Sequence, residues 1–319
     1  MEAMSLPFPL VDFHVHLAQP KKKPAKGVSG YRLPSFGPDK EKIHRAWKDE
    51  YNRQWRRTYN FPDPETEIPP LEESIKRWQE EAARHNLSKI VFVTGGGNDN
   101  LSRVVRQDPD TFAGFAHHYP ADVNAARDLE KAVRELGLKG LKIFAPLLDK
   151  PLADPLFSPL WEKAEELQVP VLIHFGILGG GGGIASGVNI SPLSLEPVAK
   201  AYPGIPFVVP HFGCGYVREL LQLCWSSANV HVDTSGNNEW LRWYPESLTV
   251  EDLFRKFYET IGPKRIIFGS DSSYFPRGFA LRYLSDQLRD CHRLGMKDED
   301  MALIFGGNAL RLLKEGENA

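Results

Sequence analysis

The chain has 319 residues, 42% hydrophobic and 25% charged, enough for one large globular domain or two modest ones. A formal net charge of −2 gives no basic surface for a nucleic acid or an anionic membrane, and the longest apolar runs are strand-length, too short to span a bilayer. Cys214, Cys224 and Cys291 are too few and too scattered for a disulfide framework, and the N-terminus lacks the basic stretch of a signal peptide, so a reducing cytoplasm is the expected setting.

The first apolar run, Leu10–His14, ends in His14-Val15-His16. Alternate side chains of a strand share a face, so His14 and His16 point the same way at its end. Two imidazoles held like that make half of a divalent metal site, although the three-residue motif alone is common by chance. Residues 18–70 then form a long insertion. It opens basic and Pro-rich (Lys21, Lys22, Lys23, Pro24, Lys26) and continues through Tyr31 and Phe61. Within it Trp47, Tyr51, Trp55 and Tyr59 recur every four residues, one helical stripe that either packs the segment onto the fold or makes it a lid. Trp47 and Arg53, with Arg56 and Arg57 nearby, suit an anionic or aromatic ligand.

From there helical and strand-like segments alternate. Helices are predicted at Leu71–His85, Asn98–Gln107, Val123–Leu136, Pro159–Leu167, Pro192–Tyr202, Val217–Trp225, Val250–Ile261 and Leu281–Leu294. Between them lie strands at Lys89–Thr94, Phe112–His117, Gly140–Phe144, Pro170–His174, Pro206–His211, Asn229–Asp233 and Arg265–Gly269. This alternation predicts a (β/α)8 TIM barrel, one domain over residues 1–319 with the insertion after strand one. A doubly wound sheet would carry a Gly-rich turn after its first strand, where this chain has His-Leu-Ala-Gln. The glycine run Gly179–Gly183 matches no nucleotide motif and reads as a flexible loop.

In a barrel the strand ends converge on one mouth. That would gather His14 and His16 with His174 from PVLIH, His211 from PFVVPH and Asp271 just past RIIFG, a set suited to a metal. Lys142, in Gly140-Leu141-Lys142-Ile143-Phe144, should face the interior, because Leu141 and Ile143 face the helices. Three roles stand side by side for it: a metal-bridging carbamate, a contact to a substrate carboxylate, or an ion pair with Asp271 or another acid. His117 and His118 end the third strand. His118 is the candidate substrate contact, with a backbone-held turn histidine as the other reading. Asp233 suits a hydrogen bond to a ligand histidine.

Together, and in this order, VDFHVH, GLKIF, PVLIHFG, PFVVPHFG, NVHVDTSG and RIIFGSD resemble the amidohydrolase superfamily, in particular its amidohydrolase-related branch of TIM-barrel hydrolases and decarboxylases. The resemblance runs from about Leu10 to Leu313. It implies that His14, His16, His174 and Asp271 ligate a divalent metal, usually zinc, and that His211 binds a second metal or polarises the substrate. It also implies that Lys142 occupies the position carbamylated in binuclear members. The branch's decarboxylases usually carry a proline in the Gly-rich segment after the strand-six histidine, and none follows His211 here.

The expected activity is therefore metal-dependent hydrolysis of an amide, lactone or related ester of a small molecule by a metal-activated water. Asp271 would take the water's proton and pass it to the leaving group, while His211 polarises the carbonyl. The alternative is non-oxidative decarboxylation of an aromatic or unsaturated acid, and a further one is a non-catalytic ligand-binding barrel. One ion, zinc first, is favoured over two, with Lys142 a free amine. A homodimer is the default assembly.

Overall fold

Eight parallel strands pair in chain order around one sheet. They are β1 (Leu10–His16), β2 (Leu87–Thr94), β3 (Phe112–Ala116), β4 (Gly140–Phe144), β5 (Val171–His174), β6 (Phe207–Val209), β7 (Val230–Asp233) and β8 (Ile266–Ile267). The computed structural model describes residues 6–18 and 36–315. The ring closes where the chain leaves β8: Phe13 N donates to Phe268 O at 3.2 Å, Asp271 N to His14 O at 2.9 Å, and His16 N to Ser272 O at 2.8 Å. This is the (β/α)8 barrel expected from the alternation. Strand β6 stops earlier than its apolar run, because Pro210 has no N–H to offer the ladder. Strand β8 is cut to two residues as the chain turns into the closing segment.

Val11, Phe13, Val91, Val93, Ala113, Phe115, Leu172, Val208 and Ile267 fill the barrel interior. Ala309, Leu312 and Leu313, in and just past helix α11 (Asn308–Leu312), join the same cluster. The other strand face packs on the surrounding helices through Ile90, Phe92, Leu141, Ile143, Val171 and Phe207. Strand β1 breaks this alternation. From Asp12 to Val15 it advances three residues while β2 advances two, from Ile90 to Phe92. The extra residue is a bulge that reverses the phase: Val11 and Phe13 belong to the interior, whereas Val15 belongs to the outer core. The bulge thereby turns His14 and His16 inward at the mouth, above Phe13.

Helices α2 (Leu71–His85), α3 (Asn98–Gln107), α5 (Ser158–Leu167), α7 (Val217–Ser226), α8 (Val250–Ile261) and α9 (Leu281–Arg293) lie where the periodicity put them, to within a residue or two. Helix α4 (Ala125–Arg134) begins two residues later than expected, after a turn that leaves Val123 94% exposed. The segment before α6 (Glu196–Ala201) is a 3-10 turn over Pro192–Leu195. A short α10 (Asp298–Ala302) runs through a π turn into α11. No helix among the described residues is long and apolar enough to cross a membrane.

The described part of the insertion includes α1 (Pro38–Tyr59), none of whose residues is buried. Lys21, Lys22, Lys23, Pro24, Lys26 and Tyr31 lie outside the described residues. The helix rests on the glycine run: a β-carbon on Gly181 would lie 2.6 Å from the Trp47 backbone, and one on Gly182 would lie 2.9 Å from His44 Cβ. Close approach to α1, and not looseness alone, thus accounts for these glycines. Gly181→Ala is expected to push α1 from its seat, at a cost of about 1–3 kcal/mol for an overpacked contact. Hydrogen exchange should quicken across Pro38–Tyr59 and stay unchanged in the strands. Equal protection of α1 in both proteins would refute this packing.

Candidate metal centre

His14 is fully buried, and its Nδ1–H donates to Asp233 Oδ2 at 2.6 Å. His211 donates from Nδ1 to the Ser235 carbonyl at 3.1 Å, and the Ser235 hydroxyl lies 3.1 Å from His14 Nδ1 and 2.9 Å from His211 Nδ1. Both rings are therefore locked with the proton on Nδ1, so Nε2 presents a lone pair. One ligand atom from each of His14, His211 and Asp271 falls within 4.8 Å of the others. Two imidazoles and a carboxylate at that spacing fit a divalent transition metal.

His16 lies at the edge of this trio. Its Nε2 is 3.3 Å from Asp271 Oδ1, and Nδ1 is 2.6 Å from Thr94 Oγ1. His174 donates from Nε2 to the Ile177 carbonyl at 3.0 Å, which leaves Nδ1 as its lone pair, and its ring centroid is 5.2 Å from that of His211. The five expected residues thus share one mouth. His211, read from the sequence as a second-metal or polarising residue, sits in the tightest trio, with His16 and His174 flanking it.

Electrostatics keep the donors in ligand form. Burial, with the nearby Lys142 and His211, holds the His14 imidazole well below its usual range, and burial with the same neighbours does so for His174. Burial works to raise the Asp271 carboxyl, but its His16 hydrogen bond and the charges of His211, His16 and His14 prevail and hold it well below the ordinary range. Its side chain keeps 38% of its surface exposed. Lys142 is fully buried with Nζ 3.4 Å from His14 Nε2, and burial brings the amine down to about 7 against the pull of Asp233 and Asp271. The inward direction expected for Lys142 is the direction observed.

Asp12, also fully buried, accepts from Ser270 N at 2.8 Å and from the Ser270 hydroxyl at 2.5 Å, which ties β1 to the segment that carries Asp271. His211 and Asp271 themselves have left-handed backbones, φ 58 and 56, the strained conformation that tends to persist at functional sites. Gly236 faces them: a β-carbon there would lie 3.2 Å from His211 Nδ1.

Above the trio is a cavity of about 280 Å³ with aromatic walls from Tyr51, Trp55, Trp240, Trp243 and Tyr283. Trp47 and Arg53 do not line it. Arg53 pairs with Glu50 at 2.6 Å on the outer side of α1, and Trp47 is 55% exposed. On a helix, Tyr51 and Trp55 share a face, and Arg53 points elsewhere. His118 does not line the cavity either: its Nε2 donates to the Ala125 carbonyl at 3.0 Å, the backbone-held reading. Sequence reading missed Ser235, Asp12, Arg277 and the tryptophans after β7. Of these, Glu239-Trp240-Leu241-Arg242-Trp243 carries a visible signal, two tryptophans in a loop after a strand.

The family profile described as Amidohydrolase matches residues 11–314. A 2-keto-4-carboxy-3-hexenedioate hydratase of a Sphingobium species is 26% identical over 243 residues, covering 67% of this chain and 69% of the relative. A gamma-resorcylate decarboxylase of a Polaromonas species is 25% identical over 261 residues, covering 68% and 74%. Among solved structures, a 5-carboxyvanillate decarboxylase of Novosphingobium aromaticivorans, complexed with manganese, superposes with a TM-score of 0.62 at 16% identity over 97% of this chain and 96% of that one, a likeness of fold. With the family profile spanning nearly the whole barrel and the His/Asp trio at its mouth, the chain belongs to the amidohydrolase family of metal-dependent enzymes, in its amidohydrolase-2 branch.

Proposed function

We propose that the protein is a metal-dependent, non-oxidative decarboxylase of a planar, unsaturated or aromatic carboxylic acid. This moves the weight from hydrolysis, which the sequence reading put first, to its alternative. The observation that carries it is the aromatic wall opening onto His211 and Asp271, in a chain similar over 68% of its length to a gamma-resorcylate decarboxylase. A cavity of this size, at the small end of ligand pockets, suits a single-ring acid.

One divalent ion, zinc or manganese, would be held by His14, His211 and Asp271, with His16 and His174 beside it. When bound, it supplies Lewis acidity that anchors and polarises the acid's oxygens. The chain's own groups do the rest. Trp55, Trp240 and Tyr283 sandwich the ring and exclude water. Asp271, ionised in the free site, takes up one proton and delivers it to the carbon that loses carbon dioxide, as the bond from that carbon to the carboxylate breaks and leaves its electron pair there. Proton in and carbon dioxide out balance the reaction. Lys142 acts as a free amine beside His14.

The test is a panel of hydroxylated and carboxylated benzoic acids offered to the metal-loaded protein, with carbon dioxide and organic products both measured. Carbon dioxide with stoichiometric loss of a carboxyl group is expected. A new carboxylate without carbon dioxide would restore the hydrolase reading, and addition of water across a double bond would mark a hydratase; either outcome would overturn the proposal.

A further inference from the structure

The loop after β8 carries an arginine that the metal chemistry does not use. Arg277 lines the same cavity as His211 and Asp271. Its guanidinium carbon lies 5.4 Å from the ring centre of Trp55, 5.2 Å from Phe61 and 5.0 Å from Tyr274. Nη2 donates to the Asp271 carbonyl at 2.7 Å, and Nε is buried with no hydrogen-bond partner. Among the described residues no carboxylate forms an ion pair with it. Neighbouring arginines are paired: Arg56 with Asp63 at 2.7 Å, Arg77 with Glu65 at 2.7 Å, and Arg289 with Asp286 at 2.7 Å.

A guanidinium stays charged at any physiological pH, and a partly desolvated one with an idle donor carries a cost until an anion arrives. All three rings lie within cation–π distance of the guanidinium and hold it in place. Arg277 lines the cavity, and a guanidinium matches a carboxylate fork to fork. A metal at the trio would add positive charge next to this cation, so the cavity would hold two separate sites for negative groups on one ligand. An inserted helix supplies Trp55 to the cage, and the loop that carries the metal-site aspartate supplies the arginine. The presence of the insertion and the position of the charge are thus linked.

We infer that Arg277 is a specificity-determining residue that binds a second carboxylate, and hence that the substrate is a dicarboxylic acid: one carboxylate at the trio, the other on the Arg277 edge. This rests on the reading of the cavity as the seat of an unsaturated acid. It goes beyond that reading by naming the class and the residue that selects it.

The test uses two inert probes, benzene-1,3-dicarboxylate and benzoate, titrated calorimetrically into the metal-loaded protein. Neither probe need be turned over, so the result is independent of whether carbon dioxide is ever released. The parent is expected to bind the diacid about tenfold or more tighter than benzoate, and Arg277→Met should erase that preference while benzoate affinity and metal content stay within about twofold. A merely structural arginine would lower both affinities together or neither. Equal affinity of the parent for the two probes, or a diacid preference that survives in Arg277→Met, would overturn the inference. If Arg277→Met fails to fold, Arg277→Lys keeps the stem and charge but not the fork. It should lose about fivefold on the diacid alone, and full retention would be equally fatal.

Discussion

Asp271→Asn is expected to lose about 10²–10⁴-fold in turnover while the barrel stays folded, because the amide preserves size and one oxygen but carries no proton at neutral pH. The backbone makes this a clean substitution. Asp271 has φ 56, and Asn is among the few side chains that tolerate a left-handed conformation. The hydrogen bond that closes the ring here comes from the Asp271 amide and not from its side chain. Turnover, metal content and thermal midpoint measured together separate the roles. A variant within about tenfold of the parent would take Asp271 out of proton transfer, whatever its part in holding the ion.

His14→Ala should abolish metal retention and destabilise the protein at the same time. The ring is the partner of Asp233, and both side chains are fully buried. Burial raises the Asp233 carboxyl to about 6 despite the opposing charge of His211, so that group is already poorly solvated and would lose its imidazole. Leaving one member of a buried pair costs about 3–5 kcal/mol. Asp233→Asn is the milder companion: the ring and its lone pair remain, orientation is loosened, and metal affinity should fall about 10–100-fold. Competition against a chelator measures both. Undiminished metal in His14→Ala would refute this centre.

The barrel was legible because every strand is a short apolar run and every crossover a helical period, and these signals are local. Lys142 could be placed inward because Leu141 and Ile143 flank it, and alternation along β4 is unbroken. The inward direction of His14 and His16 was also foreseen, yet its cause was not: the bulge at β1 is defined only against β2, more than seventy residues on. For the same reason Ser235, which touches both His14 and His211, left no trace, since a serine in a turn has no period and no sign. Asp233 could be suspected because it ends a strand. Arg53 and Trp47 were misplaced by composition: charge and aromatic content marked the right helix, and only its orientation on the glycine run decided that Tyr51 and Trp55 face the cavity. His118 shows the same limit, because a strand-end histidine turns to whichever acceptor is nearest, here Ala125 O.

The closure of the ring has a consequence for how the protein is made. Asp12 and Ser270 stand 258 positions apart, and the contacts that seal the barrel join the first strand to the segment after the last. A growing chain on the ribosome therefore carries His14 and His16 long before it carries Asp271 and the seal. Contacts of such long sequence separation form slowly, since the intervening loop must be ordered before they add stability. Nascent chains should accordingly hold metal weakly and depend on chaperones until β8 emerges, and the ion should join after the ring has shut.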